Sequence, residues 1–447
     1  MNKPSYERPT LVRHQMGMMN KFGRALAIRP LTAIDNVDVS ELVGIYGSPL
    51  FVFSEAGLIE RYRELHDLMT LRYPKVRLAW SYKTNYLDAI CKVFHRQGAF
   101  AEVVSVFEYD KAMHIGVPPQ QVHFNGPLKL EGVLERALTD GATIHIDHFE
   151  EMALAERVAK KHDLRPKVAL RLNMVVESIQ SWNRFGFNLE NGQAQEAVKR
   201  LMRGGILELA GLHCHLGTFI LEADVYAQAT RKMAKFANDL LSRDGVVLEF
   251  IDMGGGFPSQ NTLKAQFLSG DQAVPNLSRY VAAIAEGLSV LDYPSDTLPT
   301  LVLEPGRALV DEAGFLITTV IANKRLPDNR RGLVVDAGIN SLFTSFWYNH
   351  EVIPAQPFRG IPEPTVIYGP LCMNIDVMRD TLTFPSLSVG DRVVFKNVGA
   401  YNVTHWMQFI TYRPAVVLIG RDGRHALIRR REELRDVLGP EEIPEWL

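Results

Sequence analysis

Short apolar runs recur at near-regular intervals between residues 76 and 307, and the segments separating them carry apolar residues at three- and four-residue steps with charge on the opposite side. The runs predict eight strands: Val76–Trp80, Phe100–Val104, Gln121–Phe124, Thr143–Ile146, Val168–Leu172, Leu209–His213, Leu248–Met253 and Leu301–Glu304. Leu87–His95, Val133–Leu138, Glu150–Lys160, Gln195–Arg203 and Ala223–Leu241 read as helices between them. Strands alternating with helices in this way indicate parallel βα units closed into a (β/α)8 barrel. An open doubly wound sheet is the competing arrangement, but its glycine-rich loop opens the first βα unit, whereas Gly254–Gly256 comes late.

Beyond residue 315 the pattern changes. Gly332–Asp336, Thr365–Ile367, Asp391–Val398 and Ala415–Ile419 read as strands separated by Pro, Gly and Asn turns, with fewer helices between them. This predicts α/β plus all-β organisation: a barrel over residues 48–314 and a C-terminal, β-barrel-like domain over 315–447. Leu50–Ser54 reads as a strand leading into an amphipathic helix from Glu55 to Met69. Residues 1–47 form an N-terminal arm that either joins the β domain or stays flexible.

Composition narrows the class. A hydrophobic fraction of 47% and a charged fraction of 22% suit a protein with a large core, and a net charge of -2 gives no reason to expect nucleic acid or an anionic membrane as partner. Cys91, Cys214 and Cys372 are far apart and form no CxxC pair, which argues against a disulfide framework or a cysteine-rich zinc site. Lys3, Arg8, Arg13, His14, Lys21 and Arg24 are scattered without a continuous apolar core of secretory type, and apolar stretches such as Phe315–Ala322 fall far below the ~20 residues that span a bilayer. A cytoplasmic protein is expected.

Polar residues stand just after the predicted strands, where the mouth of a barrel gathers its chemistry: Lys83, Ser105, Asn125, Asp147, Asn173, His215, Gly254–Gly256 and Arg307. Gly254, Gly255 and Gly256 suit a tight turn and an anion-cradling loop equally; no Gly-Lys-Ser/Thr follows, so this is not a Walker loop. Glu304-Pro305-Gly306-Arg307 offers a carboxylate for a cofactor ring nitrogen and a guanidinium for phosphate, or simply an internal salt bridge. His213 and His215 lie on one side of a strand, as zinc ligands or as a ring stacked on a cofactor with support behind it. Lys83 is an amine at the mouth able to form a Schiff base, though an isolated lysine is more often a solvated charge.

Taken together these motifs resemble the fold-type III pyridoxal 5'-phosphate (PLP) decarboxylases, the diaminopimelate, ornithine and arginine decarboxylase family, over about residues 48–435. The resemblance implies an alanine-racemase-like barrel with a C-terminal β domain, PLP as cofactor, no metal, and a homodimer with shared active sites. Lys83 resembles the Schiff-base lysine, His215 the ring-stacking histidine, and Thr218 and Gly254–Gly256 the phosphate-binding residues. Glu304 matches the partner of the pyridine nitrogen, Arg307 the arginine beside the phosphate, and Tyr401 of Gly399-Ala400-Tyr401 the tyrosine that approaches it. Glu102, with Ser105 and Glu108, resembles the second-strand motif but stands where Asp is usual; Asn173 and Arg184-Phe185-Gly186 resemble the fifth-strand region, with Arg184 for the common lysine. Gly369-Pro370-Leu371-Cys372-Met373-Asn374-Ile375-Asp376 resembles the motif whose cysteine, delivered by the partner subunit, reprotonates Cα, and Asp376 is implied to help bind substrate.

Two departures bear on specificity. Met373 stands where relatives generally place the acid that recognises a distal ammonium, and a thioether cannot pair with that charge. Ile410 replaces a common asparagine, and Trp406 and Met407 add bulk. These changes point to decarboxylation of an amino acid or conjugate other than a standard diamino acid, with Asn374 available to a neutral polar group. A diaminopimelate-type decarboxylase, an amino-acid racemase and a non-catalytic PLP-binding regulatory partner are the alternatives.

Overall fold

In the computed structural model, which describes residues 28–266, 268–359 and 361–447, all eight barrel strands form within two residues of their expected bounds. The first part of the N-terminal arm, with Lys3 to Arg24, lies outside the described residues. Val76–Ser81, Phe100–Val103, Val122–Phe124, Thr143–Ile146 and Lys167–Asn173 pair in parallel and in order. Glu208–Cys214, Phe250–Asp252 and Thr300–Leu303 continue the sheet, and Thr300–Leu303 returns to Val76–Ser81, closing the barrel.

The helices form for ordinary reasons. Phe149–Lys161 begins on His148, whose Nδ1 accepts from the Glu151 N–H, and it carries acids in its first turn and lysines in its last, opposing the helix dipole at both ends. Inside the barrel the lower layer is small and apolar: Ala79, Ala169, Ala210 and Val302 surround the Phe250 ring. A Cβ on Gly211 would lie 2.3 Å from that ring, so only glycine leaves room for it. Above this layer, toward the mouth, the interior turns polar.

The second sheet is built around Gly314–Arg325, which pairs antiparallel with Arg331–Val335, Arg392–Lys396 and Leu50–Ser54. Leu50–Ser54 also runs parallel to Ala415–Ile419. This corrects the boundary at residue 48: the strand that leads into Glu55–Thr70 belongs to the β domain, so the chain crosses the second sheet before it enters the barrel. An alternating or apolar run cannot say which of two sheets will accept it, because that depends on partners remote in sequence. Helix Val39–Tyr46 packs Val39, Leu42 and Val43 onto the same sheet. Among the described residues no helix is long and apolar enough to cross a membrane.

One buried imidazole in the β domain supplies a test of this packing. His350 has Nε2 2.9 Å from Thr344 Oγ1 and no partner at Nδ1, and burial pushes its pKa down to about 3. The ring is neutral when folded and takes a proton on unfolding, so its stabilisation is full above the unfolded value near ~6.5 and is lost as pH falls below it. Between pH 7.5 and 5.5 the protein should lose about 1.4 kcal/mol more than His350→Gln does. Urea titrations at the two pH values measure this; equal losses would refute it.

Candidate active site

The Lys83 side chain leaves the short 3-10 turn Tyr82–Thr84 directly after the first barrel strand, which aims it across the mouth. Its Nζ donates to Glu102 at 2.8 Å (Oε1) and 2.6 Å (Oε2). Glu102 is fully buried and also accepts from Ser81 Oγ at 2.6 Å. Burial works to strip the lysine of its charge, but the Glu102 and Glu304 carboxylates outweigh it and raise the pKa above the ordinary lysine value. Glu102 is thus the counter-ion of the ammonium. Asn125 Nδ2 reaches both carboxylates, 3.3 Å from Glu102 Oε1 and 2.5 Å from Glu304 Oε1.

Glu304 follows the last barrel strand and is buried, with Oε2 3.4 Å from His213 Nε2. Burial disfavours its charge, yet His213 and Lys83 together hold the carboxyl well below the usual range. Asp252 beside it behaves oppositely: burial and the Glu304 charge push its carboxyl well above the usual range, so the pair carries one negative charge, on Glu304. Beneath them, His145 Nε2 meets His123 Nδ1 at 2.9 Å, and burial depresses both imidazoles, His123 to about 4.

On the other side of the mouth His215 Nδ1 accepts from the Gly255 N–H at 3.2 Å, and burial and the Lys83 charge lower its pKa to about 3, leaving a neutral ring. A Cβ on Gly255 would lie 2.3 Å from the Glu304 carbonyl oxygen, so glycine here lets the loop run against the strand that carries Glu304. Arg307 Nη2 is 3.4 Å from Thr218 Oγ1, and its guanidinium sits 4.7 Å from the Tyr401 ring. Its Nη1 is buried without a partner. A buried guanidinium N–H left unsatisfied beside a hydroxyl and a glycine run is the donor set an anion requires. Tyr401 itself has φ 61, a conformation rare outside glycine, and is tied by its N–H to the Thr84 carbonyl at 2.9 Å. Asp311 accepts from Ser259, from Asn261 and from the Ala400 N–H, which locks the Gly399-Ala400-Tyr401 segment to the Arg307 turn.

Lys83, His215, Thr218, Gly254–Gly256, Glu304, Arg307 and Tyr401 therefore converge. The Cys372 loop does not join them within one chain: among the described residues, none of its hydrogen bonds reaches Lys83, Glu102, His215 or Glu304. Cys372 and Asn374 are exposed, while Met373 rests partly against the main core. Asp376, assigned to substrate by resemblance, is buried with both oxygens committed to its own surroundings, accepting from Ile339 N at 2.9 Å and Leu371 N at 2.7 Å. Its carboxylate shapes the loop. Trp406 does not add bulk to an open pocket either; it is buried against Phe51 and donates to the Ser341 carbonyl. Ile410 is exposed with φ 63.

Other motif residues have local duties. Ser105 caps helix Val106–His114 through the Glu108 N–H, and Glu108 accepts from Val104 N; burial and the Glu102 charge raise Glu108 to about 7. Asn173 pins the loop after its strand by donating to the Phe185 and Gly186 carbonyls, and Arg184 is exposed over Phe185. Beside His215, at 5.5 Å, stands Trp182, which with Arg171 and Asn173 lines a narrow crevice at the mouth.

The sequence reading missed His123, His145 and Asp252 as site residues and gave Asn125 no role. A signal for the first three was present: each lies two residues before a polar rim residue (Asn125, Asp147, Gly254), so strand alternation puts it one layer below the mouth on the same inward face. His213 stands to His215 in the same way.

A closed barrel with an amine, a buried charged carboxylate and an anion cradle around one mouth defines a PLP enzyme of the barrel class. Comparison with known proteins specifies it. Residues 57–311, more than half of the chain, match the family "Pyridoxal-dependent decarboxylase, pyridoxal binding domain", and the chain belongs to that family. It is 27% identical over 415 residues to a diaminopimelate decarboxylase of Bacillus methanolicus, covering 90% of this chain and 94% of that one. With the diaminopimelate decarboxylase of Methanocaldococcus jannaschii the identity is 29% over 431 residues, covering 93% and 95%. A crystal structure of diaminopimelate decarboxylase from M. jannaschii superposes with a TM-score of 0.83 at 28% identity, covering 93% of this chain and 96% of that one; another holds L-lysine. The chain is accordingly a PLP-dependent carboxy-lyase acting on an amino acid.

Proposed function

We propose that the chain removes the α-carboxylate of a diaminopimelate-type amino acid as CO2, in the cytoplasm, as a homodimer whose subunits complete each other's sites. The observation that carries this reading is the hydrogen-bonded line from Lys83 through Glu102 and Asn125 to Glu304, facing the unpartnered Arg307 Nη1. The relatives' names support the substrate class.

When bound, PLP supplies an electron-withdrawing ring that takes up the electron pair left behind as CO2 departs. Glu304 would hold the ring nitrogen, and its fixed charge favours the transition state over the ground state because charge shifts toward the ring only as the bond breaks. Arg307, Thr218, the Gly254–Gly256 backbone and Tyr401 would hold the phosphate, and the neutral His215 ring would lie against the cofactor. Lys83 would hold the aldehyde carbon, with Glu102 hydrogen-bonded to its nitrogen. The exposed Cys372, which among the described residues makes no hydrogen bond to its own barrel's polar groups, suits delivery to a second copy, where its thiol would give Cα the proton that replaces CO2.

Met373 favours a second reading: a substrate whose distal group is neutral or conjugated, since a closed site leaves an unpaired ammonium costly. One assay separates the two. CO2 release should be fastest with meso-diaminopimelate among free diamino acids and their ω-acylated derivatives. Faster release from an acylated substrate, with a gain of about tenfold or more for the free diamino acid in Met373→Glu, would establish the second reading instead. Inversion at Cα without CO2 release, read by chiral chromatography of the amino acid, would sink both in favour of a racemase.

A further inference from the structure

Three imidazoles stand close together inside the barrel, His123 and His145 on adjacent strands and His213 two strands on, past Lys167–Asn173. His123 Nδ1 and His145 Nε2 are 2.9 Å apart, the His145 and His213 ring centroids are 4.9 Å apart, and His213 Nε2 is 3.4 Å from Glu304 Oε2. The default filling for this layer is branched aliphatic side chains. Instead it holds three buried rings, and His145 Nδ1 and His213 Nδ1 have no protein partner. Buried polar atoms without partners are destabilising, so their retention directly under Glu304 calls for a task there.

We propose that His213 is a positioning residue: with Asn125 it forms a two-point clamp that orients the Glu304 carboxylate, and His145 packs against its ring. The proposal rests on the reading of Glu304 as the partner of the cofactor's ring nitrogen. Asn125 Nδ2 takes Oε1 at 2.5 Å and His213 takes Oε2. Each oxygen keeps a lone pair for the mouth. His145, His213, Asp252 and Glu304 also bring one nitrogen or oxygen each within 4.8 Å of one another, so a bound metal ion is the rival explanation of the cluster.

The test measures cofactor binding to the apoprotein, with PLP and with its deaza analogue, in which C–H replaces the ring nitrogen. His213→Gln places an amide donor near the former Nε2; His213→Asn places it near the former Nδ1, out of reach. Wild type and His213→Gln should prefer PLP to the analogue by similar factors, whereas His213→Asn should lose about tenfold of that preference, the scale of one hydrogen bond to a charged group. Unchanged preference in His213→Asn would overturn the proposal, as would a stoichiometric metal ion in the purified protein. Because the two variants are both polar and alike in size, a folding defect shared by both is read from their melting temperatures, and Asn125→Ala then supplies the same comparison from the other side of the clamp: undiminished preference there overturns the clamp too. Glu304→Gln separates the two levels: if it also leaves the preference intact, the assignment of Glu304 itself has failed.

Discussion

Lys83→Ala should lower decarboxylation by at least about 10³-fold, within the range seen when a group acting in covalent or proton-transfer chemistry is removed. The amine is the only lysine nitrogen among the described residues that donates to Glu102, and it projects from a turn fixed by the first barrel strand, so no neighbouring lysine can take over. Alanine also leaves the buried Glu102 facing only Ser81 and Asn125, and part of any loss could come from that uncompensated carboxylate. Lys83→Arg separates the causes. A guanidinium keeps the ion pair but stays protonated and cannot bond the aldehyde. Equal inactivity in both variants, with borohydride fixing cofactor onto wild type alone, assigns the effect to the amine; substantial turnover in either would remove Lys83 from its role.

The same variant reports on assembly. If Cys372 acts in a second copy, mixing inactive Lys83→Ala with inactive Cys372→Ala and allowing subunits to exchange should restore about a quarter of wild-type activity, since half of the dimers are mixed and each of those holds one intact site. A mixture that stays inactive while the subunits demonstrably exchange would place Cys372 in its own chain's site or outside catalysis.

What could be read in the sequence follows from how local the determinants are. The eight barrel strands were legible because each is a short apolar run flanked by helical periodicity, and parallel pairing in sequence order needs no information from elsewhere. Leu50–Ser54 was misplaced because it is sandwiched between Gly314–Arg325 and Ala415–Ile419, strands hundreds of residues away. In the site, residues at strand ends were found and those one layer down were passed over, since His145 or Asp252 within an apolar run reads as an ordinary core polar group until the closed barrel brings it against Glu304. Trp406 failed for the reverse reason: bulk next to a motif suggested a pocket wall, while its indole had a partner in Ser341 and a packing surface in Phe51. Asp376 shows that a motif position can be spent on the loop that presents Cys372 instead of on the ligand.

Glu304→Gln should reduce turnover by about 10²- to 10³-fold, the scale on which one preorganised electrostatic partner acts. The substitution is nearly isosteric and keeps an oxygen able to accept from Asn125 or His213, so packing in the barrel changes little. What it removes is charge. In the protein Glu304 carries the negative charge of the Glu304–Asp252 pair, held there by His213 and Lys83 against the cost of burial. With glutamine in place, Asp252 no longer faces a neighbouring anion, but burial, the larger cause of its raised pKa, still disfavours its charge. Asp252 offers Oδ1 to the Gly254 N–H, under the glycine loop, so it does not take the place of the Glu304 charge. Glu304→Gln should therefore bind PLP and still be fixed on Lys83 by borohydride, yet turn over slowly, with kcat falling far more than the apparent affinity for the amino acid. Glu304→Asp should recover part of the rate, because it restores charge at a shorter reach. If the glutamine variant turns over normally, the buried carboxylate is a structural group and the electron-withdrawing role must rest elsewhere in the barrel.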